Sequence, residues 1–181
     1  MKAFRERIFP LSALIAIVTA VFGQCLSFGF VGDDGVLIKE NPFYGNLANV
    51  ASIFSPAAYS TNPDDVFNQT RFASGSVAYR PVLSLTYFLD HALWRLNPSG
   101  YHFQNLVWHL MNVVLVYALV ASLFSSGWLA FVAALLFGIH PLQVEAVCAI
   151  GYRADLLAVF FLLAALGCFL RGKTASGKKA V

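Results

Sequence analysis

Long apolar runs separated by short polar breaks dominate the chain, and the lengths of the runs predict its elements. Residues 8–30 contain no charge over 23 positions, about 35 Å as a helix, enough to cross a hydrocarbon core. The run is long and no small-x-small cleavage site follows it, which predicts a retained first span rather than a cleaved signal peptide. Residues 103–124 predict a second span. Ser125-Ser126-Gly127 is a tight turn that sets the next apolar run, 127–147, antiparallel to it, with Pro141 kinking or capping that third helix. A fourth span follows over 156–170, reached through the connection 148–155. The fold class is therefore all-α integral membrane, with about four transmembrane helices and one large external loop, 31–102, carrying interfacial helices.

Within that loop the polarity rises. Asn41-Pro42 ends a short piece over 36–40, because a residue before proline is pushed out of the helical region. Leu47 to Phe54 predicts a short helix stopped by Ser55-Pro56, Asn62-Pro63-Asp64-Asp65 a turn, and Asn68-Gln69-Thr70 an N-glycosylation acceptor. Pro81 opens a helix over about 81–96. With Asp90, His91 and Arg95 inside sixteen residues it is a poor span, and a position in the membrane interface suits it better. At the start of the second span His102, Asn105, His109 and Asn112 fall at offsets that put all four on one helix face. In lipid such a stripe faces other helices or a cavity. Interhelical hydrogen bonding and a substrate-facing role both fit.

Composition agrees with the pattern: 59% of residues are apolar and 12% charged, half the charge of a soluble domain at roughly 25%. Charge placement adds topology. Residues 1–7 carry Lys2, Arg5 and Arg7 against Glu6, and the tail 171–181 carries Arg171, Lys173, Lys178 and Lys179 with no acid. Between Val31 and Phe103 four bases (Lys39, Arg71, Arg80, Arg95) face six acids (Asp33, Asp34, Glu40, Asp64, Asp65, Asp90). The positive-inside rule puts both termini in the cytoplasm and the loop outside, together with the connection 148–155. The small net charge, placed this way, excludes a nucleic-acid binder. Cys25, Cys148 and Cys168 are odd in number with no metal spacing, and read as small buried hydrophobes.

Candidate chemistry gathers on the external side. Asp33 and Asp34 leave the first span between Gly32 and Gly35. Adjacent carboxylates there can bind a cation or take a proton from a hydroxyl, although a solvated Gly-Asp turn has the same residues. His140, Glu145, Arg153 and Asp155 crowd into sixteen residues between two apolar runs. Ionised groups are expensive at membrane depth and mark a cavity or a partner charge. No metal-ligand set is evident, because the His102 and His109 pair lacks a third ligand.

In order, these motifs are Asp33-Asp34, Asn41-Pro42, Tyr79-Arg80-Pro81, Gly100-Tyr101-His102, then His140-Pro141 with Glu145 and Val147, then Gly151-Tyr152-Arg153-Ala154-Asp155-Leu156-Leu157. The set resembles the N-terminal region of the transmembrane and tetratricopeptide-repeat O-mannosyltransferases and their bacterial relatives. These are type-C glycosyltransferases, which also include the protein O-mannosyltransferases. The resemblance implies a membrane enzyme that moves a sugar from a polyprenyl-phosphate donor to an acceptor hydroxyl on the external face. One carboxylate of Asp33/Asp34 would be the general base. Arg80 and Arg153 would suit the lipid phosphate, with His102, His140, Glu145 and Asp155 beside the substrates and a divalent metal left as an option. A non-catalytic lipid-binding or assembly module derived from that family is the alternative, with a further multi-span protein as its partner. The compact loops point to a bacterial inner membrane, with the endoplasmic reticulum as the alternative. The family has many more spans and a repeat of about 34 residues, neither of which this chain shows, so it reads as a fragment, insufficient for catalysis alone.

Overall fold

The structure, a computed structural model, describes residues 2–55 and 79–177, which are helical throughout their regular elements. The expected turn at 62–65 and the acceptor sequence at Asn68 lie outside the described residues. The elements are α1 (Lys2–Phe22), α2 (Pro81–Trp94), α3 (Pro98–Phe124), α4 (Gly127–Gly138), α5 (Gln143–Cys148) and α6 (Arg153–Gly177). Short helical segments fill the loop after α1: a wide π-turn at Gly35–Lys39 and 3-10 turns at Pro42–Gly45 and Leu47–Phe54.

Three segments are long and apolar enough to cross a membrane: Pro10–Ser27, Pro98–Phe124 and Ile150–Lys173. The protein is an all-α membrane protein. The run expected as one helix over 127–147 is divided. α4 stops at Gly138 after 12 residues, about 18 Å, short of a hydrocarbon core. Ile139 leaves helical geometry, and Pro141 has no N–H with which to resume the ladder. His140 Nδ1 then accepts from the Leu142 N–H at 3.2 Å, shaping the turn that leads to α5.

Helix ends follow local chemistry. Asn97 caps α3 by accepting from Ser99 N–H at 3.2 Å, with Pro98 in the first turn. That is why α3 starts five residues before the apolar pattern alone suggests. Ser126 caps α4 through Leu129 N–H. In the loop, Asn41 and Asn46 cap their turns on Phe43 and Ala48.

α3 is the central post, touching α1, α4 and α6. Its inner face meets Leu14, Val18 and Phe22 of α1, Ala130 and Ala134 of α4, Val147 of α5 and Leu156 of α6. A second core lies in the loop layer, where Phe43, Tyr44, Tyr87, Phe88 and Tyr101 pack around Leu37, Ile38, Ile53 and Ile150. Gly138 is a close crossing of α4 with α1 and α3. A Cβ there would sit 2.8 Å from Val18 Cγ2 and 3.0 Å from Val113 Cγ2, both on stiff β-branched side chains. Gly138→Ala is therefore expected to cost about 1–3 kcal/mol by overpacking, read as a lower melting temperature in detergent. A wild-type melting curve would refute the close packing.

The cysteines correct the sequence reading. Cys25, at the end of the first span, and Cys148, at the end of α5, form a disulfide across 123 residues with their Cα atoms 5.4 Å apart. Cys168 is free and exposed on α6 rather than buried. Sequence spacing could not pair residues so distant; the fold brings α5 back onto α1. By loop-closure entropy alone such a link stabilises by about 5 kcal/mol. Unreduced protein should alkylate one thiol per chain under denaturing conditions, rising to three after reduction. Three without reductant would disprove the bridge.

Candidate functional site

The site is built around the turn Ile150–Tyr152, which joins α5 to α6. Three elements hold it. From the first loop, Asp34 is 1% exposed; its Oδ1 accepts from Gly151 N–H at 2.8 Å and its Oδ2 from Ile150 N–H at 3.3 Å. It also accepts from Val31 N–H at 3.3 Å, closing its own loop. From α2, the Tyr87 hydroxyl donates to the Ile150 carbonyl at 3.0 Å. From α3, Asn105 Nδ2 donates to the Ala149 carbonyl at 3.1 Å. Orphan backbone groups of a tight turn buried between helices must find partners, and these three side chains supply them.

Beneath the turn lies Arg153, fully buried and the largest buried side chain of the described residues. Its guanidinium pairs with Asp90, also fully buried. Nε donates to Asn105 Oδ1 at 2.6 Å, Nη1 to Thr86 Oγ1 at 3.1 Å and Nη2 to the Tyr101 carbonyl at 3.1 Å. The guanidinium also lies 5.0 Å from the Tyr87 ring centroid, a cation–π distance. Burial pushes the Asp90 carboxyl up to about 6 against the opposing pull of Arg153, and burial raises the Tyr87 phenol well above its ordinary value, keeping it a neutral donor. Asn105 thus joins three parts of the fold: α3, the Ala149 carbonyl and Arg153.

The remaining members of the polar stripe have comparable work. His102 Nε2 meets the Gly29 carbonyl at 3.1 Å and His109 Nε2 the Gly138 carbonyl at 2.8 Å. Asn112 Nδ2 donates to the Leu156 carbonyl at 2.9 Å. All four stripe residues are buried. The stripe ties α3 to its neighbours through backbone carbonyls, most of them where a helix ends or starts, so of its two readings interhelical bonding is the one observed.

The sequence-predicted site residues therefore divide. Asp34, His102 and Arg153 are buried and engaged within the fold. Arg153, expected to meet a lipid phosphate, spends its donors on Asp90, Asn105, Thr86 and Tyr101 instead. Asp33, Arg80, His140, Glu145 and Asp155 are exposed. Among the described residues no hydrogen bond or ion pair takes the Asp33 carboxylate. Its neighbour Asp34 is fastened to Gly151, the neighbour of Tyr152. Tyr152 is 47% exposed; Glu145 is the strongest acidic influence on its phenol, with Asp33 and Asp155 acting on it electrostatically as well. Asp33, Glu145, Tyr152 and Asp155 thus share one exposed patch over the buried Arg153 lattice. Asp155 is also the acidic residue in the first turn of α6, where it suits the helix dipole. Arg80 stands at the start of α2, in the same loop layer.

Sequence reasoning missed Tyr152 and Asp90. A carboxylate among the apolar residues of α2 was a signal, since a buried acid demands a partner. The partner lies 63 positions away. Among the described residues no three His, Cys, Asp or Glu side chains are grouped as a metal site.

Comparison with known proteins gives one consistent result. The chain is 30% identical over 163 residues to protein O-mannosyl-transferase TMTC3 of Homo sapiens, covering 90% of this chain and 17% of that protein. It is 33% identical over 169 residues to protein O-mannosyl-transferase F38B6.6 of Caenorhabditis elegans, covering 91% and 23%. It is 36% identical over 159 residues to protein O-mannosyl-transferase TMTC1 of Homo sapiens, covering 86% and 17%. The chain thus spans less than a quarter of the length of these relatives. No protein-family model matches it, and no solved structure does.

Proposed function

We propose, from the premise that this chain resembles the protein O-mannosyl-transferases over nearly all its length, that it is the acceptor-activating part of a membrane glycosyltransferase. The donor is a polyprenyl-phosphate sugar and the acceptor a protein hydroxyl. Asp33 removes the acceptor proton as the hydroxyl oxygen bonds to the anomeric carbon. The bond from that carbon to the donor phosphate oxygen breaks, and polyprenyl phosphate leaves. Arg80, exposed in the same layer, neutralises the phosphate through its planar fork. Glu145, Tyr152, Asp155 and His140 line the substrate side.

One observation carries this reading. Asp34 is consumed in holding Gly151 and Ile150, which leaves Asp33 exposed at the edge of the patch. A general base must be both accessible and fixed, within hydrogen-bond reach of its proton. The pair divides those two duties.

The Cys25–Cys148 bridge favours an oxidising compartment at this end, and the basic termini favour the cytoplasm at the other. A bacterial inner membrane with a periplasmic site fits both; an endoplasmic reticulum membrane with a lumenal site is the alternative.

The test uses protein in native membranes with two donors, polyprenyl-phosphate hexose and the sugar nucleotide, and with polyprenyl phosphate as the sugar-free control. Labelled hexose should reach a Ser/Thr peptide from the lipid-linked donor only. Transfer from the sugar nucleotide would overturn the donor assignment. Donor binding without transfer would favour the second reading, a non-catalytic lipid-binding module, which the extensive use of buried polar groups for packing also suits.

A further inference from the structure

At the opposite end of the bundle, a groove of about 730 Å³ runs between α3 and α6, walled by Leu115, Ala118, Leu119, Leu163, Ala164 and Gly167. Its small residues leave the space, and no side chain among the described residues fills it. Arg171 and Lys173 stand at its end, both exposed. A second groove of about 950 Å³, on the other side of α3 beside α1 and α4, ends at the same Arg171. Among the described residues no carboxylate lines either groove.

From Leu163 to Lys173 the groove follows α6 for ten residues, about 15 Å, the depth of one leaflet of a hydrocarbon core. Its walls are apolar over that depth and its mouth is cationic. The cationic mouth calls for an anionic partner, which an apolar transmembrane helix seated there would not supply. A lipid with an anionic headgroup satisfies both halves of the groove.

We propose that this groove is a binding site for an anionic glycerophospholipid. An acyl chain lies against Ala118, Ala164 and Gly167, and the headgroup phosphate lies on Arg171 and Lys173. This site is separate from the patch around Asp33 and does not depend on the transferase reading.

Cys168 lines the groove and carries the one thiol that the Cys25–Cys148 bridge leaves free, so it reports occupancy. In the purified chain in detergent, phosphatidylglycerol should slow alkylation of Cys168 and stay bound in native mass spectrometry. Phosphatidylcholine should do neither at equal concentration. With each cation contributing about 1 kcal/mol toward an anionic lipid, the preference is roughly 30-fold. Arg171→Gln with Lys173→Gln should abolish the preference, and Gly167→Phe, which fills the groove without touching the charges, should abolish retention of phosphatidylglycerol. The proposal is overturned if phosphatidylcholine protects Cys168 equally, if the double variant keeps the preference, or if Gly167→Phe retains phosphatidylglycerol as the wild type does.

Discussion

Asp33→Asn is expected to lower hexose transfer in native membranes by roughly 10²–10⁴-fold, the usual contribution of a general base, with donor binding and melting temperature unchanged. The side chain is exposed and no partner among the described residues holds it, so its amide should disturb nothing structural. Asp34→Asn should behave differently. Its two oxygens accept from Gly151 and Ile150, and an amide nitrogen in place of one oxygen turns an acceptor into a donor facing an N–H. A lost buried bond of this kind costs about 1–3 kcal/mol. The Asp34 variant should therefore melt lower, and its transfer should fall through disorder of the loop. The decisive comparison is the pair of melting curves beside the pair of rates. If Asp34→Asn abolishes transfer at wild-type stability while Asp33→Asn retains it, the two roles are reversed.

Arg153→Met is expected to have the largest effect on stability, about 3–5 kcal/mol, because it leaves Asp90 buried without its counter-ion. Arg153→Lys restores the charge but not the fork. Nε, Nη1 and Nη2 reach Asn105, Thr86 and Tyr101 in three directions, which an ammonium cannot copy, so rescue should be partial. The pH dependence has a definite sign. The Asp90 carboxyl is pushed up to about 6 by burial even with Arg153 beside it. A raised carboxyl favours folding below its ordinary value, and that contribution is lost as pH rises through the folded value. Removing Arg153 removes the one opposing pull and raises the carboxyl further. The deficit of Arg153→Met should then be larger at pH 8 than at pH 5. A deficit that grows on acidification would mean that Asp90 is not the group left unpaired.

Much of the architecture was legible in the residues because the bilayer imposes it. Long apolar runs within Pro10–Ser27, Pro98–Phe124 and Ile150–Lys173 can be recognised by length and composition. The helix expected over 81–96 is α2, begun by Pro81. The stripe on α3 was legible because helical periodicity alone puts His102, Asn105, His109 and Asn112 on one face. The break of the third run was only half legible: Pro141 marked a kink, but the end at Gly138 depends on Val18 and Val113 crowding that glycine and on His109 taking its carbonyl.

By itself, then, the sequence determined the all-α membrane class, the helix start set by Pro81, and the crowding of polar groups into 140–155. Each depends on neighbours within one or two turns, or on the bilayer acting on composition. Tertiary structure alone decided which polar groups are spent and which are available. Asp33 and Asp34 are adjacent and chemically identical, yet contact with Gly151 buries one and leaves the other exposed. Arg153 and Asp90 find each other across 63 positions, and Cys25 and Cys148 across 123. No spacing rule reaches that far, because the partner of a buried charge is set by how helices cross in space, and the cost of leaving it unpaired is charged only in the folded state.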